Sequence, residues 1–462
     1  MSNQTTTLKI NDLIEITADN IGMNGEGVAR FQGVAVFCDG LLPGERAMVR
    51  LTEVRKTFLR ASIEQRYTTS EHRQKPPCPY YERCGGCQLQ HLAYVEQVNW
   101  KTTEVVEQLK RVGKMELEVQ PTLPSPYEYE YRNKIQCPVG KTNGKIVMGM
   151  YKRGSHDIVD IESCLLQSPL GNRLLKAVRK WIQENQPAIY DEQTHRGLLR
   201  HVMIRTNHDD TQALVTFVIN GSSLQISTSI IQEWNQQFPE LMGILLNHNT
   251  KKGNTILGEH SSLLWGVSEI NDTIGLADFA LTDRAFFQIN RHQTSRLYRI
   301  VAEFLRKIEP QRILDAYCGI GSIGITMAKE LNQPNLGILG VEVVDVAVVQ
   351  ARENAKRNGL TNTQYLTGRC EEIVPKLVQQ GLKLDCAIFD PPRQGCQAEF
   401  LHAVLSVDIP HLIYVSCNPV TLARDLVLLE QGGYRVQHVQ PVDMFPQTTH
   451  VETVVLMSRM GK

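Results

Sequence analysis

Residues near the carboxy-terminal end of the chain have the types and settings needed for nucleophilic chemistry. Cys417 ends the run LIYVSCNP with Pro419 just beyond it, so a thiol stands where a strand breaks into a loop. Asp390 follows LDCAIFD and opens Asp-Pro-Pro-Arg, residues 390–393, whose two prolines fix φ and stiffen the loop presenting the carboxylate. Upstream, ILDAYCGIGSIGITMAKEL runs an apolar strand into Gly319, Gly321 and Gly324, spaced G-x-G-x-x-G, and then into a helical segment. Glycines there permit the turn and let a ligand approach the backbone, and GVEVVD puts Glu342 about twenty residues on, placed to accept ribose hydroxyls. An adenosyl cofactor follows. NAD is the competitor, but Asp315 inside the turn and the residues downstream favour S-adenosylmethionine.

A thiol beside a methyl donor suggests one chemistry in particular. C5 of a pyrimidine is too weak a nucleophile to take a methyl group directly, and thiolate addition at C6 makes it an enolate carbon that is strong enough. A base must then remove the C5 proton so that the thiolate can leave. Glu452, in QTTHVETVVLMSR at the start of the last strand, is the candidate base, and a solvated carboxylate at a strand entrance is the alternative reading. Arg393 stands where amino-methyltransferases carry an aromatic ring after Pro-Pro, which argues against an exocyclic amine as acceptor.

A second constellation is Cys78, Cys84 and Cys87 in KPPCPYYERCGGCQLQH, where prolines and glycines favour a loop able to wrap three thiolates around one centre. The C-x5-C-x2-C spacing needs a fourth ligand from elsewhere and fits zinc and an iron–sulfur cluster equally. Cys38, Cys137, Cys370, Cys386 and Cys396 read as buried core thiols.

These groups need a large scaffold, and 462 residues at 42% apolar and 21% charged composition supply several packed domains rather than a disordered or collagen-like chain. No apolar stretch approaches the roughly 18 residues of a membrane span. The amino terminus MSNQTTTLKIND lacks signal-peptide regions, and eleven cysteines without an export signal suit a reducing, cytoplasmic setting. Lys+Arg and Asp+Glu both total 49, so any case for nucleic-acid binding must rest on local patches. Residues 1–70, with alternating apolar positions between glycine turns, predict a small all-β barrel. Residues 71–280 predict a central α+β domain carrying the cysteine loop. Residues 281–462 alternate strands and helices as a doubly wound, Rossmann-like α/β sheet.

Taken together, the motifs resemble the RNA (uracil-5-)-methyltransferases that carry an iron–sulfur cluster and an amino-terminal TRAM domain. GEGVARFQGVAVFCDGLLPGE looks like TRAM, and CPYYERCGGCQLQH looks like the cluster loop. YRNKIQCPVG and GLLRHVMIR look like the middle domain; DRAFFQIN, DAYCGIGSIG, FDPPRQG, YVSCNP and HVETVVLM look like the catalytic one. The resemblance implies a 4Fe-4S cluster on Cys78, Cys84, Cys87 and Cys164, and S-adenosyl-L-methionine contacts from Gln288, Tyr317, Glu342 and Asp390. It implies Cys417 as nucleophile and Glu452 as base. Many relatives have another residue where this chain has Tyr317, so only a stacking role carries over, and Cys318 reads as turn packing. RNA cytosine-5 enzymes typically follow the motif prolines with cysteine, whereas Arg393 follows here, and uracil is the expected base.

The expected partner is RNA. Between Tyr131 and His156 there are six Lys/Arg and no Asp or Glu, with Tyr131 and Tyr151 among them, a composition suited to neutralising phosphates and stacking bases; a solvated hairpin is the alternative. Through Lys75 the barrel region has ten Lys/Arg against nine Asp/Glu, so charge gives it no independent support. The expectation is a monomer that methylates C5 of a uridine in 23S rRNA. A tRNA substrate, or a non-catalytic RNA-binding or ribosome assembly factor, is the rival.

Overall fold

The computed structural model describes residues 8–460. Strands β1 (Leu13–Thr17), β2 (Asn20–Ile21), β3 (Gly27–Phe31), β4 (Val34–Cys38), β5 (Arg46–Val54) and β6 (Phe58–Arg66) form one sheet in the order β1-β5-β6-β4-β3-β2. In β1, Ile14 and Ile16 point in while Leu13, Glu15 and Thr17 face out, the two-residue period of a half-buried strand. The sheet curls until β1 approaches β3, closing over Ile14, Ala29, Val36, Val49 and Leu51.

The cysteine loop leads into α1 (Tyr94–Arg111), which serves two neighbours. Trp100 packs with Ile21 and Leu42 of the barrel and with Leu89 and Leu92, while Val105 and Leu109 enter the core of the carboxy-terminal sheet. One helix thus docks the barrel and the cysteine loop onto the α/β layer.

The central sheet uses β7 (Lys134–Thr142), β8 (Lys145–Tyr151), β9 (Ile158–Asp160), β10 (Leu199–Thr206), β11 (Ala213–Ile219), β12 (Leu241–His248) and β13 (His260–Gly266) in the order β13-β12-β11-β10-β7-β8-β9. Helices α2 (Pro169–Asn185) and α3 (Thr228–Gln237) cover one face, with Trp181 and Trp234 against Phe217. Ser168 starts α2 by accepting from the Gly171 N–H at 3.1 Å, with Pro169 preset at the first turn. Every residue of β10 and β11 is buried, because the sheet's other face is covered as well. There Arg205 reaches across to the Ala285 carbonyl at 2.5 Å.

A hairpin of β14 (Glu269–Ile274) and β15 (Ala277–Thr282) begins before residue 281 and runs across it, and Ile270, Phe279 and Leu281 share one core with the α/β layer. That layer contains α4 (Thr294–Ile308), β16 (Arg312–Ala316), α5 (Ser322–Glu330), β17 (Gly337–Glu342), α6 (Asp345–Arg357), β18 (Thr363–Thr367), α7 (Cys370–Gln379), β19 (Cys386–Phe389), α8 (Ala398–Ser406), β20 (His411–Ser416), α9 (Pro419–Gln431), β21 (Tyr434–Val442) and β22 (Glu452–Arg459). Its strand order is β18-β17-β16-β19-β20-β22-β21; β18 to β20 run parallel, and β22 runs antiparallel to both of its neighbours. The order reverses between β16 and β19, the crevice where doubly wound sheets collect ligands.

The structure corrects one expectation about the basic segment. Tyr131 is fully buried and donates its hydroxyl to the Pro446 carbonyl at 3.0 Å, so its ring is a packing element and presents no face to a base. Arg132 and Lys134 are half-buried beside the cysteines, and only the remaining cations lie near solvent. The five thiols read as core are all buried, as is Cys318.

Candidate active site and cysteine cavity

Cys417 sits at the bend between β20 and α9 for a local reason. Asn418 caps the helix by accepting from the Val420 N–H at 3.1 Å, and Pro419 supplies a preset φ at the first position. The strand therefore stops at Ser416 and leaves the thiol between the two elements. In the antiparallel register of β20 and β22 the last pair is Ser416 with Thr453, and Cys417 and Glu452 are the residues just beyond it on each side, near enough for the carboxylate charge to act on the thiol.

Glu452 is buried, and its Oε2 has no hydrogen-bond partner. Burial first, then the charge of Asp390, raises its pKa well above the carboxylate range, with Arg393 opposing. Burial, then Glu452 and Asp390, pushes the Cys417 thiol up to about 12, again against Arg393. A helix amino terminus favours a thiolate, but here desolvation and two carboxylates outweigh it. Arg393 itself donates from Nη2 to His450 Nε2 at 3.2 Å; burial, then Arg393, lowers His450 to about 4, so the ring is neutral and able to accept.

Asp390 follows β19 and receives a hydrogen bond from Gln288 Nε2 at 3.3 Å; burial, then Asp315, raises it to about 7. On the neighbouring strand, Asp315 accepts from the Gly324 N–H at 2.9 Å through one oxygen and leaves the other buried without a partner. A Cβ at Gly324 would stand 2.9 Å from that carboxylate, which is why glycine is required there. Tyr317 and Gly321 both take positive φ, 59° and 79°, turning the chain sharply out of β16 and into α5. The Tyr317 ring packs edge-on to Phe400 at 5.2 Å. Glu342 accepts from the N–H groups of Gly319 (3.2 Å) and Val344 (2.9 Å) and keeps lone pairs for a ligand. It borders a cavity of about 450 Å³ with Gly319 and Phe286.

The structure therefore brings Cys417, Glu452, Asp390 and Gln288 together, with Tyr317 and Glu342 along the same carboxyl edge of the sheet. Sequence reasoning missed the walls around them. A cavity of about 200 Å³ at Cys417 is bounded by Met23 and Asn24 of the barrel, Trp100 and Glu104 of α1, and Arg393 and His450. From sequence, Arg393 is read only for the residues it replaces, an aromatic ring or a cysteine; its position within the motif of Asp390 was the available signal for a role of its own.

Cys78, Cys84, Cys87 and Cys164 line one cavity of about 260 Å³. Burial raises the pKa of the first three, and each also feels the charge of Cys164. Asn172 holds the Cys164 loop through two bonds of 2.9 Å, one accepted from its N–H and one donated to its carbonyl. Among the described residues, no group of three or more His, Cys, Asp or Glu is gathered closely enough for a single metal ion.

Comparison with known proteins decides the family. Residues 269–460 match the model of tRNA (Uracil-5-)-methyltransferases and residues 10–63 match the TRAM domain. Proteins named as uncharacterized RNA methyltransferases in Bacillus cereus (strain ATCC 10987 / NRS 248) and Listeria innocua are 39% and 40% identical, each alignment covering 98% of both chains. The chain belongs to the TRAM-containing RNA (uracil-5-)-methyltransferase family. The methyltransferase also superposes, with a TM-score of 0.74 and 25% identity over 96% of this chain and 100% of the other, on the Pyrococcus abyssi tRNA (uracil-54, C5)-methyltransferase in complex with S-adenosyl-L-homocysteine. It is thus an S-adenosylmethionine-dependent enzyme acting on RNA uracil. The TRAM match coincides with the curled β1–β6 sheet. No helix among the described residues is long and apolar enough to cross a membrane.

Proposed function

We propose that the enzyme methylates C5 of a uridine in structured RNA, 23S rRNA ahead of tRNA, through a covalent bond from Cys417 to C6. The observation that carries the mechanism is Glu452, a buried carboxylate with one unpartnered oxygen, close enough for its charge to act on the Cys417 thiol. An orphaned buried carboxylate costs stability unless a ligand uses it. In the reaction, the Cys417 thiolate adds to C6 and the C5=C6 electrons move into an enolate. C5 then attacks the sulfonium methyl, whose bond to sulfur breaks. Glu452 takes the C5 proton and elimination returns the thiolate. The net products are 5-methyluridine, S-adenosylhomocysteine and a proton. Arg393 favours both anionic forms that this sequence needs.

Gln288, Tyr317, Glu342 and Asp390 are assigned to the donor, supported by their common place at the strand ends beside the glycine turn. Cys78, Cys84, Cys87 and Cys164 are assigned to a 4Fe-4S cluster. The support is their common cavity, roomier than one ion needs, and an all-thiolate donor set. Such a cluster would brace the cysteine loop against the central sheet; the methyl-transfer steps above use only this chain's side chains. A cytoplasmic setting is inferred from the eleven unpaired thiols, and a monomer is carried as part of the same reading.

The test is incubation with labelled S-adenosylmethionine and separated unmethylated ribosomal and transfer RNA, followed by nucleoside mass spectrometry. 5-Methyluridine in the ribosomal pool supports the reading. Label only in tRNA would favour the second reading, which the named substrate of the Pyrococcus neighbour recommends. A Cys417→Ala protein methylating at the normal rate would sink the mechanism.

A further inference from the structure

The central domain holds a second polar cavity, about 360 Å³, with Lys141, Tyr151, His156, Tyr190, Arg200 and His201 among its walls. That is the lower part of the size range of small-ligand sites. His201 is only 5% exposed, yet nothing in the protein bonds to either ring nitrogen. Burial, then Arg200, lowers its pKa to about 4, so the imidazole is neutral and offers one donor and one acceptor. An imidazole left in that state weakens the fold, which points to a ligand as the reason for it.

The other walls suit a flat, polar ring with a phosphate attached. Tyr151 and His156 stand 5.3 Å apart, and the Arg200 guanidinium lies over the Tyr190 ring at 4.4 Å. Glu192 accepts from Tyr151 (3.3 Å) and pairs with His156 Nδ1 (2.8 Å), leaving acceptor capacity for an exocyclic amine or a ribose hydroxyl. Lys141 is exposed at the rim, within reach of a backbone phosphate.

Location connects this cavity to the catalytic one. Tyr151 ends β8, and two residues later Arg153 donates to the Asn24 carbonyl and pairs with Asp39 at 3.1 Å. Asn24 is a wall of the Cys417 cavity. Two Cα steps and one arginine side chain span about 15 Å, a distance that a few nucleotides of extended strand cover.

We propose that this cavity receives an unstacked RNA nucleotide a few positions from the target uridine, with its base against the aromatic rings and its edge on His201. The inference rests on the RNA-methylating function above. It is tested by photo-crosslinking the wild-type enzyme to ribosomal and transfer RNA substituted with 4-thiouridine and mapping the attached peptides, alongside methylation kinetics of His201→Leu. The expected crosslink falls within residues 151–156 or 190–201 and comes from a nucleotide other than the methylated one. H201L is expected to raise KM for RNA about tenfold, leaving KM for S-adenosylmethionine, kcat at saturating RNA and thermal unfolding unchanged or improved. Wild type that forms 5-methyluridine but crosslinks in neither segment overturns the proposal, and so does an H201L variant with unaltered KM for RNA. Wild type that forms no 5-methyluridine refutes the functional reading instead, and the crosslink map then decides the cavity by itself.

Discussion

Lys101→Met tests how the chain holds Glu452, the proposed base, in place. The Lys101 ammonium lies 2.6 Å from Asp443, and neither side chain has any exposure to solvent. Nζ also donates to the Phe445 carbonyl at 3.0 Å, so one side chain of α1 grips the segment that leads into β22 and Glu452. Removing one partner of a buried pair typically costs about 3–5 kcal/mol, because the remaining charge loses its compensation. Asp443 would keep the Tyr94 hydroxyl at 2.9 Å and the Phe445 N–H at 3.1 Å, which places the expected cost near the lower end, about 3 kcal/mol. Native-state hydrogen exchange reads this directly: amides of α1 and of residues 443–450 should exchange roughly a hundredfold faster. Adding Asp443→Asn removes the stranded charge and keeps one acceptor oxygen for the Phe445 N–H, with its amide nitrogen left to donate to the Tyr94 hydroxyl, so the double variant should recover much of the loss. A Lys101→Met protein whose exchange changes less than about threefold, or a double variant no better than the single one, would refute this account of the pair.

The other expectations concern chemistry. Arg393→Met removes the cation that lowers the pKa of both Cys417 and Glu452. Activity needs both groups ionised, so the rising limb of kcat/KM against pH should move to higher pH; an unmoved profile would separate Arg393 from the reacting groups. Glu452→Gln leaves Cys417 able to add but removes the proton acceptor, so turnover should fall about 10²–10⁴-fold while a protein–RNA adduct that survives denaturing gels accumulates. Absence of that adduct, with cofactor binding intact, would count against Glu452 as base. Anaerobically purified enzyme should be brown, with about four irons per chain, and Cys164→Ser should lose both colour and iron. One zinc and no colour in the parent would replace the cluster by a single ion.

The motifs were legible because their chemistry is local. A strand, three glycines and a helix announce the turn after β16, and Asn-Pro after Cys417 marks the cap that ends β20. The closeness of Cys417 and Glu452 was only half legible, since it depends on β22 inserting antiparallel between β20 and β21, a choice made by long-range packing. Tyr131 misled for a related reason. Six cations within a short run read as a face for phosphates and bases, but β7 pairs with the interior strand β10, and alternate residues from Tyr131 onward turn inward. The role of α1 was hidden entirely, because Trp100, Lys101 and Val105 each meet a different partner and none of those partners is near in sequence.

Three buried polar groups without partners stand where a ligand can reach them. A folded chain usually satisfies its buried polar groups because leaving one bare costs about 1–3 kcal/mol. Among the described residues such bare atoms occur in every domain, Gln167, Thr216 and Asp272 among them, and three places bear on a ligand: Glu452 Oε2, beside the thiol; Asp315 Oδ1, under the glycine turn; and both nitrogens of His201. Two of the three lie where methyl donor and uracil are expected, and there the cost has an evident use: groups already desolvated need no further reorganisation when the ligand arrives. If the same economy holds at His201, filling its cavity should stabilise the free enzyme. Saturating RNA should then slow exchange of the amides of β10 near His201 in wild type, and do so much less in His201→Leu, even where Cys417→Ala prevents any methyl transfer. Equal protection in both proteins would mean that the imidazole is merely tolerated by the sheet.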